Sequence, residues 1–93
     1  MATKKPFSRR VIVNVFKSGE RLLTREFLHG PVFIGRQPGN DLILEFPYMS
    51  RNHCQLLEEM GHFYLVDLGS QNGITFDGKR ITKQPIYERG RFS

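Results

Sequence analysis

Short stretches of alternating apolar and polar residues run along the chain, and turn residues separate them. In "RVIVNVF" (residues 10–16) every second residue is valine, and the stretch stops at Ser18-Gly19, a pair typical of a hairpin turn. No stretch has the period of about 3.6 residues that marks a helix. Strands of about four to seven residues, spaced at roughly 8–12 residues, are typical of an all-β sandwich. We therefore predict two mainly antiparallel, twisted sheets.

The remaining strand stretches follow the same pattern. Gly30-Pro31 separates the second from the third, and Asp77-Gly78 divides the last as a signal for a type I′ turn. The final strand should run from about Pro85 to Glu88, and the chain stops soon after without a closing turn, so we expect a fragment of a longer protein. The stretches are "REFLHGP", "VFIGR", "DLILEF", "HCQLLEE", "HFYLVDL" and "ITFDGKRIT".

Length and composition place these strands in one small folded domain. The chain has 93 residues, of which 39% are hydrophobic and 25% charged, as in ordinary globular proteins. No apolar run approaches the roughly 20 residues that a membrane-spanning helix needs, and "VIVNVF" is too short and too polar for a signal peptide. The single cysteine, Cys54, fits a reducing compartment. We expect an intracellular protein, cytoplasmic or, in a eukaryote, nuclear.

The net charge of +5 is concentrated at the start of the chain. Residues 1–25 hold seven Lys/Arg against one acidic residue, whereas residues 26–93 hold seven against eight. A basic end on a neutral body is typical of a solvated tail and argues against a face that tracks nucleic-acid phosphates. We assign residues 1–8 to a basic tail and residues 9–93 to the domain.

The segment "PYMSRNHC" (residues 47–54) combines residues that could serve catalysis. Ser50 and His53 could act as nucleophile and base, with Asp67 orienting the imidazole. The chain has no G-x-S-x-G elbow and no glycine-rich oxyanion loop, and a small all-β domain encloses little volume for a substrate. We predict that the protein is not an enzyme and has no catalytic residues.

Metal binding finds no better support in the sequence. Structural metal sites need ligands at spacings such as C-x-x-C, which this chain lacks. By strand alternation, Cys54 should face the core together with Leu56. We predict no metal and no cofactor. The other residues weighed as ligands are His29, His53 and His62.

Anion binding fits the polar residues better, because three loops supply complementary groups. Arg36 follows an apolar strand, Ser50 and Arg51 lie on a second loop, and Gln71 and Asn72 lie on a third. Guanidinium forks match phosphate oxygens, and hydroxyl and amide donors complete such a shell. Each residue alone would more often be a solvated arginine or a turn residue; their joint order favours an anion site.

That order resembles a known family. "FIGRQPGNDLIL", "SRNHCQL" and "VDLGSQNGITFDGKRI" resemble the pattern of the forkhead-associated (FHA) domain, from Phe33 to Ile81, about half of the chain. The resemblance implies a β-sandwich that binds phosphothreonine peptides through loops at one end, without catalysis.

The resemblance also implies roles for the loop residues. Arg36 and Ser50 would hold the phosphate, and Arg51 and Gln71 would add further contacts to it. Asn72 would hydrogen-bond the peptide backbone beside the phosphothreonine.

Five further residues would shape the loops. Gly35, His53 and Gly73 would be structural, with His53 bracing the Ser50 loop through a hydrogen bond. Tyr48 and Met49 would form a specificity loop and, being uncharged, should prefer an aliphatic rather than an acidic side chain in the peptide.

We therefore predict a phosphothreonine-dependent peptide- or protein-binding module in Ser/Thr kinase signalling. Its partners would be a phosphothreonine-containing protein and an upstream kinase, with no membrane, and the charge distribution argues against nucleic acid. The alternative is a scaffolding or oligomerisation domain that does not need phosphate, and a weaker third option is a basic nucleic-acid-binding module.

Overall fold

The computed structural model describes residues 3–76, 78–87 and 90. Every regular element in these ranges is a β-strand, so the prediction of an all-β fold is confirmed. None of the described residues belongs to a helix that could cross a membrane. The strands are β1 (Lys5–Lys17), β2 (Glu20–Gly30), β3 (Val32–Gly35), β4 (Leu42–Ile43), β5 (Cys54–Glu59), β6 (His62–Asp67), β7 (Ile74–Phe76), β8 (Lys79–Ile81) and β9 (Lys83–Ile86).

The first of two compact units, Met1–Gly30, is an antiparallel hairpin of β1 and β2. The turn at Ser18-Gly19 has φ values of 53° and 79°, which are typical of the type I′ turns that match the twist of a hairpin. Val13 is buried, whereas its neighbour Ile12 is 49% exposed, as the alternation predicts. Strand β1 begins at Lys5, so residues 5–8 of the predicted tail are extended. The division between tail and domain stays a prediction.

The second unit, Pro31–Ser93, contains a five-stranded sheet and a two-stranded sheet. The larger sheet has the order β4-β3-β5-β6-β9, and the smaller one pairs β7 with β8. All of these pairs are antiparallel except β3 with β4, which agrees with the prediction of mainly antiparallel sheets. The order places the ends of β3, β4 and β6 near one another, and the three loops of interest follow these strands.

The predicted strand "DLILEF" is wrong for most of its length, because only Leu42–Ile43 pairs with β3. After these residues the Leu44 amide donates to the Gly35 carbonyl (2.9 Å). The chain then turns where the Met49 amide donates to the Phe46 carbonyl (3.0 Å). Pro47 lies within this turn and has no N–H for a sheet ladder.

Two other sequence predictions reach residues without a described structure. Asp77 of the predicted type I′ turn lies outside the described residues, although Gly78 has the positive φ of 84° that this turn requires. Glu88, the predicted end of the last strand, also lies outside them. The described part of that strand, β9, ends at Ile86.

The core of the second unit is formed by alternating residues of its strands. Cys54 is 0% exposed and Leu56 is 5% exposed, so the prediction that both face the core is confirmed. Burial, with a smaller contribution from Asp67, raises the pKa of the Cys54 thiol to about 12, and the thiol therefore stays protonated. The most deeply buried apolar residues of this unit also include Val32, Ile34, Leu65 and Ile74.

We predict that Leu65→Ala lowers the free energy of unfolding by about 2–5 kcal/mol, because the buried side chain would leave a cavity. Ile43 lies in the same sheet but is 42% exposed, so Ile43→Ala is the control and should cost less than about 1 kcal/mol. Urea unfolding followed by circular dichroism measures both. Equal losses would contradict the assignment of Leu65 to the core.

Candidate functional site

Gly35, at the end of β3, lies directly against the loop between β4 and β5. A Cβ on this residue would overlap the carbonyl oxygen of Arg51 and would lie 2.9 Å from Nδ2 of Asn40. Backbone atoms cannot move aside as a flexible side chain can, so the position admits only glycine without rearrangement. The absence of a side chain lets the two segments run side by side.

Backbone hydrogen bonds join these segments beyond Gly35. The amide of Arg36 donates to the Ser50 carbonyl (3.0 Å), and the amide of Gln37 donates to the Arg51 carbonyl (3.2 Å). Nε of Arg36 also donates to the carbonyl of Met49 (3.0 Å). The backbone and the guanidinium of Arg36 are therefore both fixed by the loop that carries Ser50.

Asn40 strengthens the contact between these two segments. The sequence reasoning did not identify it as a site residue. Its Nδ2 donates to the carbonyls of Gln37 and Arg51, each at 2.8 Å. Asparagine is common in turns, and "QPGN" predicts only a turn. The sequence signal that could have identified Asn40 is its place in the family pattern, directly before Asp41.

His53 braces the Ser50 loop by the predicted hydrogen bond. The amide of Ser50 donates to Nδ1 of His53 (3.1 Å), and the imidazole is buried with 5% exposure. Burial lowers the pKa of His53, and the negative charge of Asp67 opposes this shift only in part. A neutral imidazole with Nδ1 as acceptor follows from both observations.

The loop between β6 and β7 is attached to the Ser50 loop through two side chains. The amide of Gln71 donates to Oγ of Ser50 (2.9 Å), and Nδ2 of Asn72 donates to the carbonyl of Tyr48 (2.7 Å). In this arrangement the Ser50 hydroxyl retains its own hydrogen for donation, and Asn72 retains Oδ1 as an acceptor.

These hydrogen bonds also separate the groups considered for catalysis. The Ser50 hydroxyl is bonded to the Gln71 amide, whereas the His53 imidazole is bonded to the backbone amide of Ser50. Asp67 accepts from the amide of Ser70 (2.8 Å). The three residues therefore do not form the nucleophile–base–orienter chain that a hydrolase needs. In the described part of the chain, no three His, Cys, Asp or Glu residues converge as metal ligands would.

The three loops surround an open depression of about 500 Å³. Two of its described lining residues, Arg36 and Arg51, are cationic, and none is acidic. The predicted phosphate, backbone and specificity residues all line it, whereas Gly35, His53 and Gly73 are not among its lining residues. The lining residues are Arg36, Pro47, Tyr48, Met49, Ser50, Arg51, Asn52, Leu68, Gln71 and Asn72.

Gly73 directly follows this lining and has a neighbour that the sequence reasoning missed. Its φ is 77°, and a Cβ built on it would lie 2.7 Å from Cζ, Nε and Nη2 of Arg80. Arg80 lies opposite Thr75 in the β7–β8 hairpin. A two-residue turn at Asp77-Gly78 implies this pairing, so the register was available from the sequence.

A family model described as FHA domain matches residues 32–92. The FHA domain-containing protein FhaB of Mycolicibacterium smegmatis is 39% identical over 59 residues, which are 60% of this chain and 38% of FhaB. FhaB of Mycobacterium tuberculosis H37Rv is 38% identical over 52 residues, 56% of this chain and 34% of that protein. The chain therefore matches little more than a third of the length of these curated relatives.

Among solved structures, the Rv1747 FHA-1 domain of Mycobacterium tuberculosis is 29% identical, with a TM-score of 0.72 over 95% of this chain and 84% of that one. This similarity confirms the predicted FHA-like β-sandwich.

We predict that His53 makes stability depend on pH. Because burial lowers its folded pKa below the unfolded value of 6.5, the unfolded state binds a proton more readily. The free energy of unfolding should be highest above about pH 6.5 and should fall as the pH drops through and below that value. Chemical unfolding between about pH 7.5 and pH 5 measures the slope.

His53→Gln, which removes the titrating group, should flatten this slope. His62→Gln is the matched control, because His62 is exposed, and it should leave the slope unchanged. A slope that is the same in the wild type and in His53→Gln would contradict the prediction.

Proposed function

This chain belongs to the FHA domain family, and from this premise we propose that it is a phosphothreonine-dependent peptide-binding module. It reads the output of a Ser/Thr kinase by binding a protein that the kinase has phosphorylated, and it performs no catalysis itself. The observation that carries the proposal is the depression that Arg36, Ser50 and Arg51 line together, with no acidic residue among its described lining residues.

The proposed phosphate site uses groups whose orientation is set before the ligand arrives. Arg36 donates through Nε to the Met49 carbonyl, and its two Nη groups can then approach two phosphate oxygens as a fork. Ser50 adds a hydroxyl donor whose oxygen is held by the Gln71 amide. Arg51 and Gln71 lie beside these groups and add further donors.

The proposed peptide contacts lie on either side of the phosphate. Asn72 offers Oδ1 to a backbone N–H of an extended peptide, because its Nδ2 already bonds the Tyr48 carbonyl. Tyr48 is stacked on Phe46, with ring centroids 5.4 Å apart and planes at 11°, and its side chain is 54% exposed. Together with Met49 it offers an apolar surface to an aliphatic side chain of the peptide.

A phosphate-independent scaffold is the second candidate, and a different observation favours it. Several apolar side chains of β1 and β2 are about half exposed in the first unit, and they could contact another protein without phosphate. These residues are Ile12, Phe16, Leu22 and Leu28. Binding that is equal with and without the phosphate would favour this candidate.

We predict that Arg36→Ala weakens the binding of a phosphothreonine peptide by about 2–5 kcal/mol, because the phosphate loses a charged donor pair. Arg36→Lys should restore little, since an ammonium group cannot form the fork. Isothermal titration calorimetry measures both. Arg21→Ala, which removes an exposed arginine of the hairpin, is the control for net charge and should bind normally. Near-native binding by Arg36→Ala would exclude Arg36 as the anchor.

We also predict that phosphothreonine binds about 10–200-fold more tightly than phosphoserine in the same peptide, because one methyl group packed in a niche between the loops provides this discrimination. A glutamate in place of the phosphorylated residue should bind worse than either, since a carboxylate has less charge and fewer oxygens. Calorimetric titration of the three peptides gives the order. Equal affinity for phosphothreonine and phosphoserine would reduce the site to a general anion site.

A further inference from the structure

Arg80 projects from β8 onto the loop that carries Asn72. The guanidinium lies over Gly73, at the place where a Cβ would come within 2.7 Å of three of its atoms. Gly73 has a φ of 77° and immediately follows Asn72. Consecutive Cα atoms are about 3.8 Å apart, so the guanidinium lies within a side-chain length of the Asn72 backbone.

Among the described residues, no ion pair uses the charge on Arg80. Ion pairs in the described ranges join Arg10 to Glu26 and Lys83 to Glu59, and Arg80 takes part in neither. The side chain is exposed, and it is not among the residues that line the depression. Arg80 therefore adds a third guanidinium to those of Arg36 and Arg51. It lies outside the lining that contains these two residues, on the side of Asn72.

An extended ligand held at Asn72 would bring its own side chains close to this group. Each residue of an extended chain advances about 3.3 Å, so a side chain one to three residues from the phosphothreonine can reach the region of Gly73. A carboxylate is the complement of a guanidinium fork. A subsite for an aliphatic side chain at Tyr48 and a subsite for a carboxylate at Arg80 would then bind different positions of one peptide.

We propose that Arg80 is a specificity-determining residue that selects an acidic side chain near the phosphothreonine. The proposal rests on the proposed function, because it requires a peptide bound along Asn72. Since the arginine is exposed, the gain from one pair is modest, and an acidic residue should raise affinity about two- to fivefold.

A peptide scan coupled to point variants tests the proposal. One phosphothreonine peptide with alanine at all flanking positions serves as the reference, and a single aspartate is moved through the four positions on each side. At one position aspartate should tighten binding to the wild type about two- to fivefold, and in Arg80→Ala this gain should disappear. High salt should reduce the gain in the wild type.

Lys79→Ala is the matched control. Lys79 precedes Arg80 in the same strand, where it pairs with Phe76, and its side chain lies on the other face of the sheet. Its replacement by alanine changes the net charge by the same amount. It should keep the full aspartate gain. Arg80→Lys keeps the charge without the fork and should retain part of the gain.

The outcomes separate this proposal from the proposed function. If wild type and Arg80→Ala show the same aspartate gain at every position, or if Lys79→Ala loses as much, Arg80 does not select the acidic side chain. If Arg80→Ala weakens all peptides equally, including the alanine reference, the residue only supports the loop and the proposal is overturned. If the wild type binds the peptide equally well with and without its phosphate, the proposed function itself is overturned.

Discussion

The close approach of the Gly35 backbone to the Arg51 carbonyl is the constraint on which the rest of the site depends. It leaves no room for a side chain, and it lets the amides of Arg36 and Gln37 bond the carbonyls of Ser50 and Arg51. Two segments from different parts of the chain thus become neighbours through main-chain bonds. Because these bonds do not depend on rotamers, they position Arg36 and Ser50 more firmly than side-chain contacts alone could.

Each principal side chain of the site uses one of its polar atoms for the scaffold and keeps another for binding. Arg36 uses Nε, Ser50 uses an acceptor lone pair of Oγ, and Asn72 uses Nδ2. The remaining Nη groups, the hydroxyl hydrogen and Oδ1 are complementary to a phosphate and a peptide backbone. Since the side chains are ordered beforehand, less conformational entropy is lost when a ligand binds, and the surplus contributes to affinity.

The sequence predicts those parts of the molecule that depend on local chemistry. Alternation and glycine turns predict the strands and the β1–β2 hairpin, and the motif order predicts which residues line the depression. What it missed depends on contacts of individual side chains. Asn40 acts on the carbonyl of Arg51, and Arg80 lies over Gly73, and neither contact leaves a periodic signal. "DLILEF" has the apolar alternation of a strand, yet within it only Leu42–Ile43 forms a strand paired with β3.

The buried imidazole of His53 has a consequence for the way such a site would respond to pH. Burial lowers its pKa from 6.5, so the acceptor that holds the Ser50 amide stays neutral while the pH falls through that value. The second pKa of a phosphate ester is about 6, so a phosphorylated ligand begins to lose its second charge in the same range. Protonation of His53 would remove the acceptor that holds the Ser50 amide, and protonation of the phosphate would make the ligand a weaker partner for Arg36, so both changes would weaken binding in acid. In the proposed module, burial of His53 keeps the brace in place at a lower pH than an exposed imidazole would allow.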